Sequence, residues 1–316
     1  FLGATFLLPP SHHPFPAVNA SQNKDLSTRR ATRNEAPVVP PPLVSVIITT
    51  RNEESVLVNA LRSVHNQTYS KIETIVVDNQ STDATKAVAR RFTPLVYDHG
   101  PERCAQRNFG IDHANGAYIL IIDADMELTS TIVNDCIRQV CKDPAVKAIV
   151  IPEESFGEGY WSACKSLERS CYVDDLVIEG ARFAERRAIL TCGGFDEKLV
   201  GGEDWDLTQR LRNRYSVGRI CSVIRHNERK LTLRRAVRKK YYYASTYALY
   251  IRKHGRIAFQ QANMIMRPAY LRSWRRLVKH PALLAGMFYM RTVEMGGACL
   301  GLFVGLTLSR LASHHS

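Results

Sequence analysis

Ala117-Tyr-Ile-Leu-Ile-Ile-Asp-Ala-Asp-Met-Glu-Leu128 is the stretch on which the reading of this chain turns. Tyr118 to Ile122 is an apolar, β-branched run, the pattern of a strand buried on both faces of a parallel sheet. It runs straight into Asp123-Ala124-Asp125. Residues two apart on an extended chain point the same way, so both carboxylates converge where the strand ends. In an open α/β sheet the carboxyl ends of strands are where ligands bind. Two oxygen donors there suit Mg²⁺ or Mn²⁺, which take one or two carboxylates plus substrate phosphates. A lone Asp-x-Asp is more often a solvated pair in a loop, so the flanking chain decides.

Upstream, Leu43–Thr50 and Ile72–Asp78 read as strands, Val56–Asn66 and Ala84–Arg91 as helices, and Leu95–Tyr97 as a short third strand. Glu102–Ala114 reads as a helix closed by Asn115-Gly116. Downstream, Thr129–Cys141 is a helix and Ala145–Ile151 a strand. Pro152–Asp175 reads as a loop and a helix, Gly180–Ala184 as a strand, and Arg186–Cys192 as a helical turn. Gly201 to about Arg214 forms a further helix, and Ser216–Ile224 an edge strand that ends at His226. Strand and helix alternate, which predicts an α/β fold with a doubly wound, mainly parallel sheet. No GxGxxG follows the first strand, which argues against a dinucleotide-binding sheet.

At 316 residues the chain is long enough for a full core. Residues 1–42, with their many Pro, Ser, Asn and Arg, read as a flexible tail or linker. The net charge of +13 is localised: Arg225–Lys279 carries +15 and the rest of the chain −2. That segment therefore faces something anionic. Leu283–Leu308 is largely apolar, and its last 14 residues, Met295–Leu308, are uncharged and Gly-rich. This favours an anionic membrane surface over nucleic acid, with Met295–Leu308 as a re-entrant, interfacial or tilted element. The other reading is a buried helix, or one that pairs with a second copy in a homo-oligomer. The eight cysteines show no zinc spacing and fit reduced thiols on the cytoplasmic face of a membrane.

Five motifs stand in order along the chain: Val46–Glu53 (VIITTRNE), Val76–Asp83 (VVDNQSTD), Gln106–Gly110 (QRNFG), Ile122–Asp125 (IDAD) and Gly202–Asp206 (GEDWD). Together they resemble the family 2 glycosyltransferases of GT-A fold, over roughly residues 43–230. The resemblance implies an enzyme that transfers a sugar with inversion from a nucleotide-sugar donor, by default a UDP-sugar, using Mn²⁺ or Mg²⁺. The acceptor it implies is a hydroxyl on a lipid-linked glycan or a growing cell-envelope polysaccharide. Residue by residue, Thr50, Arg51, Asn52 and Glu53 would line the nucleotide pocket, with Asp78 on the base and Ser81 shaping that turn. Arg107 would approach the donor. Asp123 and Asp125 would hold the ribose and the metal-diphosphate, with His226 as a further metal or diphosphate ligand. Asp204, with Glu203 beside it, takes the place of the catalytic base.

Local structure offers a rival for several of these residues. Asp78 can cap the next helix, Glu203-Asp204 suits any helix N-terminus, and Arg107 with Arg103 can form a solvated helix face. His226 can simply join the basic surface, and Trp205 can stack on an acceptor sugar or fill the core. Two other functions compete. A transferase to polyprenyl phosphate needs no general base, because that acceptor is already ionised. A non-catalytic nucleotide-sugar-binding module has no need to keep all four of Asp78, Asp123, Asp125 and Asp204. The expected organisation is a tail (1–42), a GT-A domain (43–230) and a basic, helical, membrane-associating region (231–316).

Overall fold

The computed structural model describes residues 40–313, with side chains to residue 307. The tail read for residues 1–42 therefore lies, up to residue 39, outside the described residues. In chain order the first half comprises β1 (Val44–Thr50), α1 (Glu54–His65), β2 (Ile72–Asp78), α2 (Thr85–Arg90), β3 (Val96–Asp98), α3 (Arg103–Asp112), β4 (Tyr118–Asp123), β5 (Met126–Leu128), α4 (Ile132–Lys142) and β6 (Val146–Val150). Then come β7 (Glu153–Glu158), α5 (Tyr160–Arg169), β8 (Ala181–Glu185), α6 (Arg186–Thr191), α7 (Glu203–Arg212), β9 (Ser216–Arg219) and β10 (Ile224–Lys230). The rest is helical: α8 (Leu233–Ala244), α9 (Tyr247–His254), α10 (Arg256–Ala262), α11 (Pro268–Arg272), α12 (Trp274–Leu277) and α13 (Pro281–Ser313).

Seven strands form the main sheet in the order β3-β2-β1-β4-β8-β6-β9, and β5-β10-β7 form a small second sheet. In the main sheet β1 pairs in parallel with both β2 and β4, while β8 runs antiparallel between β4 and β6. Alternation along β1 sends Val46 and Ile48 into one core layer, with Leu57 and Leu61 of α1 and Ile132 of α4. Ile47 enters the opposite layer, with Ile111 of α3 and Leu207 and Leu211 of α7. Helices thus cover both faces, as continuous apolar strands require. Register does the positioning: Thr50 pairs with Asp78 and Thr49 with Asp123, so three strands end at one level.

Three expectations change. Residues 216–226 form two strands in different sheets. β9 adds to the edge beside β6, whereas β10 crosses to pair with β5 and β7, which puts His226 opposite Met126. The segment after Pro152 contains a strand, β7, whose polar sequence EESFGE gives no apolar alternation to read. Gly116 does not cap α3, which ends at Asp112. Its backbone instead lies against Ser45, whose hydroxyl accepts the Gly116 N–H at 2.8 Å.

The C-terminal helix α13 is one continuous element of 33 residues, about 50 Å long at 1.5 Å per residue. Among the described residues no helix is long and apolar enough to cross a membrane. Gly297, Gly301 and Gly305 recur every fourth residue on the α13 face that meets α8. A Cβ at these positions would collide with the backbone of Val237, Tyr241 and Ser245 respectively. The Gly-rich run is therefore a close helix–helix seam. Gly301→Val should destabilise the protein by about 1–3 kcal/mol through overpacking, read as a lower chemical-denaturation midpoint. A midpoint equal to wild type would mean that the seam gives way freely.

Candidate active site

The turns after β1 and β2 are built as one unit. The Asn52 N–H donates to Ser81 Oγ at 2.7 Å, and the Thr82 N–H donates to Asn52 Oδ1 at 2.9 Å. Both turns use left-handed residues, Asn52 (φ 53) and Gln80 (φ 52), which free backbone groups to face one another. Gln106 of α3 donates to the Thr50 and Val77 carbonyls at 3.0 and 2.7 Å, tying the two strand ends together. Asp78 is fully buried and accepts the Ser81 N–H at 2.6 Å and the Ser81 hydroxyl. Burial pushes its carboxyl above the ordinary range, against the Ser81 hydrogen bonds.

A cavity of about 870 Å³ opens over these strand ends. Of the sequence-predicted residues, Thr50, Arg51, Glu53, Asp123, Asp125, Glu203, Asp204 and His226 line it. Asn52, Asp78, Ser81 and Arg107 stand behind the lining and shape it.

Arg107 is wholly buried, and its guanidinium joins three carboxylates: Asp204 at 2.7 Å, Asp123 at 3.0 Å and Glu203 at 3.3 Å. Arg103, one turn earlier on α3, reaches Glu203 at 3.1 Å. The Arg103/Arg107 pair is thus turned inward and is not a solvated face. It bridges the end of β4 and the first turn of α7, where Gly202 (φ 83) starts the helix and aims Glu203-Asp204 into the cavity. Burial works against the charged form of Asp123, yet Arg107, Arg182 and Arg103 hold its carboxyl well below the usual carboxylate range. Burial pushes the Glu203 carboxyl up, opposed by Arg103.

Two participants had no signal strong enough to single them out in the sequence. Arg182 of β8 bonds Glu153 at 2.8 Å and lies 3.5 Å from Asp204 and 3.9 Å from Asp123. Glu153, at the start of β7, is held by Arg182 and Arg169 and lies 3.4 Å from His226 Nδ1. A charged residue inside the apolar strand Ala181–Glu185 was the one available clue. His226 is buried, with Nε2 3.6 Å from Asp125. Burial disfavours its cation, but hydrogen bonding to Asp125 and Glu153 pushes its pKa up to about 9. Trp205 lines the cavity, donates Nε1–H to the Ile178 carbonyl at 2.7 Å and packs on Tyr250.

Among the described residues no group of three or more His, Cys, Asp and Glu side chains is arranged to hold a metal ion. Asp125 and His226 alone offer a carboxylate oxygen and an imidazole nitrogen facing one space. Removing Arg107 leaves three carboxylates without their shared partner, a change that ordinarily costs about 3–5 kcal/mol for a buried ion pair. Arg107→Met should therefore lower the melting temperature by several degrees. An unchanged melting temperature would mean that water replaces the guanidinium at no cost.

Residues 45–166 match the family model for glycosyl transferase family 2. Over 93 residues the chain is 41% identical to glycosyltransferase AglE of Haloferax volcanii, covering 27% of this chain and 31% of that protein. Over 99 residues it is 34% identical to the GalNAc(5)-diNAcBac-PP-undecaprenol β-1,3-glucosyltransferase of Campylobacter jejuni, covering 28% of this chain and 31% of that protein. These matches span about a third of each relative's length. Among solved structures, the mannosyltransferase PcManGT of Pyrobaculum calidifontis, in complex with GDP-Man and Mn²⁺, superposes with a TM-score of 0.54 at 19% identity. The superposition covers 87% of this chain and 80% of that one. The motifs, the sheet order and these likenesses agree: residues 45–166 match glycosyl transferase family 2, and the chain has the GT-A fold.

Proposed function

We propose that this protein transfers a sugar, with inversion, from a nucleoside-diphosphate donor to a hydroxyl of a lipid-linked or polysaccharide acceptor. The observation that carries the reading is the Arg107 bridge, which sets two acidic groups of different surroundings on one cavity. The donor's nucleoside is assigned to the coupled β1 and β2 turns, where Thr50, Arg51 and Glu53 line the space and Asp78 fixes its shape. Asp123, whose Oδ1 is bonded by Arg107 while Oδ2 stands 3.9 Å from Arg182 and 4.0 Å from Arg103, positions the donor and can share the cation with Asp125.

The donor set of Asp125 and His226 fits Mn²⁺ or Mg²⁺, whose other positions substrate phosphates fill. Glu153 on the far ring nitrogen supports that role, since metal-bound imidazoles characteristically donate their second N–H to a carboxylate. When bound, the cation would offset the charge that builds on the departing diphosphate. Asp204, partly exposed to the cavity, takes the acceptor hydroxyl proton as the new glycosidic bond forms on the opposite face of the anomeric carbon. Arg182 and Arg107 hold that carboxylate in place, and buried Glu203 supports it. A second acidic site devoted to the acceptor favours a hydroxyl over a phosphate nucleophile.

Residues 43–230 are proposed as the transferase domain and 231–316 as a region that docks on an anionic membrane surface. No acidic residue occurs between Glu228 and Glu294. On and beside α11 and α12, Met266, Leu271, Trp274 and Val278 are exposed by 54–78%. Arg272, Arg275, Arg276 and Lys279 lie among them, the mixture that suits a headgroup boundary. The outer face of α13 adds exposed Leu300 and Phe303.

The two acidic sites should separate in one experiment. Asp204→Asn should lower kcat by about 10²–10⁴ with UDP or GDP affinity retained. Asp125→Ala should abolish turnover and weaken nucleotide binding in Mn²⁺ with the fold intact. Near-normal kcat in Asp204→Asn, or wild-type turnover undiminished in EDTA, would refute the assignment. For docking, binding to anionic vesicles should weaken as salt screens the surface and drop further in Leu271→Ser/Trp274→Ser. Wild-type protein that ignores such vesicles would overturn the membrane reading.

A further inference from the structure

The helical wall of the cavity carries cations that the donor chemistry does not use. Lys165 and Arg169 come from α5, Lys240 from α8, Arg267 from the turn before α11 and Arg291 from α13, and all five line the cavity. The carboxylates near them are already engaged. Glu168 is bonded by Lys165 at 3.1 Å, by Arg291 and by the Tyr172 hydroxyl. Glu294 is held by Arg291 at 2.5 Å, Glu228 lies 3.7 Å from Arg169, and Glu153 is shared between Arg169 and Arg182.

Two cations remain without a carboxylate. Arg267 is buried, donates only to the backbone carbonyls of Asn263 and Gln261, and lies over the Tyr172 ring at 4.8 Å. Lys240 has no hydrogen bond or ion pair among the described residues, and burial, then Arg267, Lys239 and Arg169, draw its ammonium below the usual lysine range despite Glu294. The fully buried Arg291 also keeps an Nε without a hydrogen-bond acceptor. Such a concentration of positive charge on a largely buried wall is costly unless an anion enters.

The donor's diphosphate is provided for at the strand ends, by Asp125 and His226 with their cation. Lys239, the neighbour of Lys240, faces that end, over Tyr243 at 5.7 Å and within the field of Asp125. Lys240, Lys165 and Arg267 stand on α8, on α5 and just before α11, the helical side of the same cavity. Arg267 leads directly into α11, whose Leu271 points outward at the proposed membrane face.

We propose that this second wall binds a phosphate or diphosphate group carried by the acceptor, so that an acceptor hydroxyl is presented to Asp204. This deepens the transferase reading and rests on it. A phosphate bridged by Lys240, Lys165 and Arg267 gains charge-assisted hydrogen bonds that a neutral glycan cannot supply. The same chemistry would serve a lipid-linked phosphate or a soluble one.

The test titrates the full chain, saturated with UDP and Mg²⁺, with glucose 1-phosphate by calorimetry. Wild type should bind it, and Lys240→Gln and Lys165→Gln should each weaken binding about tenfold or more. UDP affinity and melting temperature should stay unchanged in Lys240→Gln, whose side chain has no partner to lose. No binding to the UDP-saturated wild type, or equal binding in both variants, overturns the proposal. UDP affinity is measured first, so failure of the donor reading shows as lost UDP binding, separately from failure of the wall. Vesicles doped with polyprenyl phosphate, compared with phosphatidylglycerol vesicles of equal charge, identify the source. A Lys240-dependent preference for the former assigns a lipid-linked phosphate, and equal binding beside a retained glucose 1-phosphate site assigns a soluble one.

Discussion

Everything that gives the cavity its chemistry depends on one buried guanidinium. Arg107 contacts the end of β4 through Asp123 and the start of α7 through Glu203 and Asp204. A positive charge sealed from water is tolerated because three carboxylates surround it, and those carboxylates are tolerated at close range because of it. Removing any member leaves the others exposed to mutual repulsion or to an unpaired burial. The two acidic sites proposed for donor and acceptor are therefore held at a fixed separation by the same interaction that stabilises them. Arg182 repeats the arrangement one strand over, tying Glu153 to both Asp123 and Asp204.

The remaining walls come from helices that follow the sheet. α8 is pressed against α13 along the glycine seam, and α5 packs beneath both. The Tyr160 hydroxyl donates to the Ala282 carbonyl at 2.5 Å, and Cys164, Met287 and Met290 share one apolar cluster. Polar anchors join this layer to the sheet: Arg103 stacks on Tyr243 at 5.0 Å, and the Tyr242 hydroxyl bonds Glu102. Residues 41–313 accordingly belong to a single compact unit.

Much of this was legible in the chain. Val44–Thr50, Ile72–Asp78 and Tyr118–Asp123 are apolar enough to be central strands, and parallel register brings their carboxyl ends level. Asp78, Asp123 and Asp125 follow from that alone. The direction of Arg107 was not legible, since a helix with two arginines one turn apart reads equally well as a wet surface. Its true environment is set by α7, nearly a hundred residues later. Glu153 and Arg182 were obscured for a similar reason, because the strands that carry them are short or polar and pair across a sequence gap. The glycines at 297, 301 and 305 were visible, but their partner was not. Without α8 in view, an uncharged Gly-rich run reads as a membrane element.

The antiparallel strand β8 has a consequence for how this architecture diverges. Inserted between two strands that run the other way, it delivers Arg182 at the level where β4 ends, although its own chain direction is reversed. The strand-end side of the cavity is thus built from the sheet, its adjoining turns and α3, and the helical side from α5 and the later helices. If the helical wall takes the acceptor as proposed, substitutions there would alter acceptor choice without touching the strand-end carboxylates.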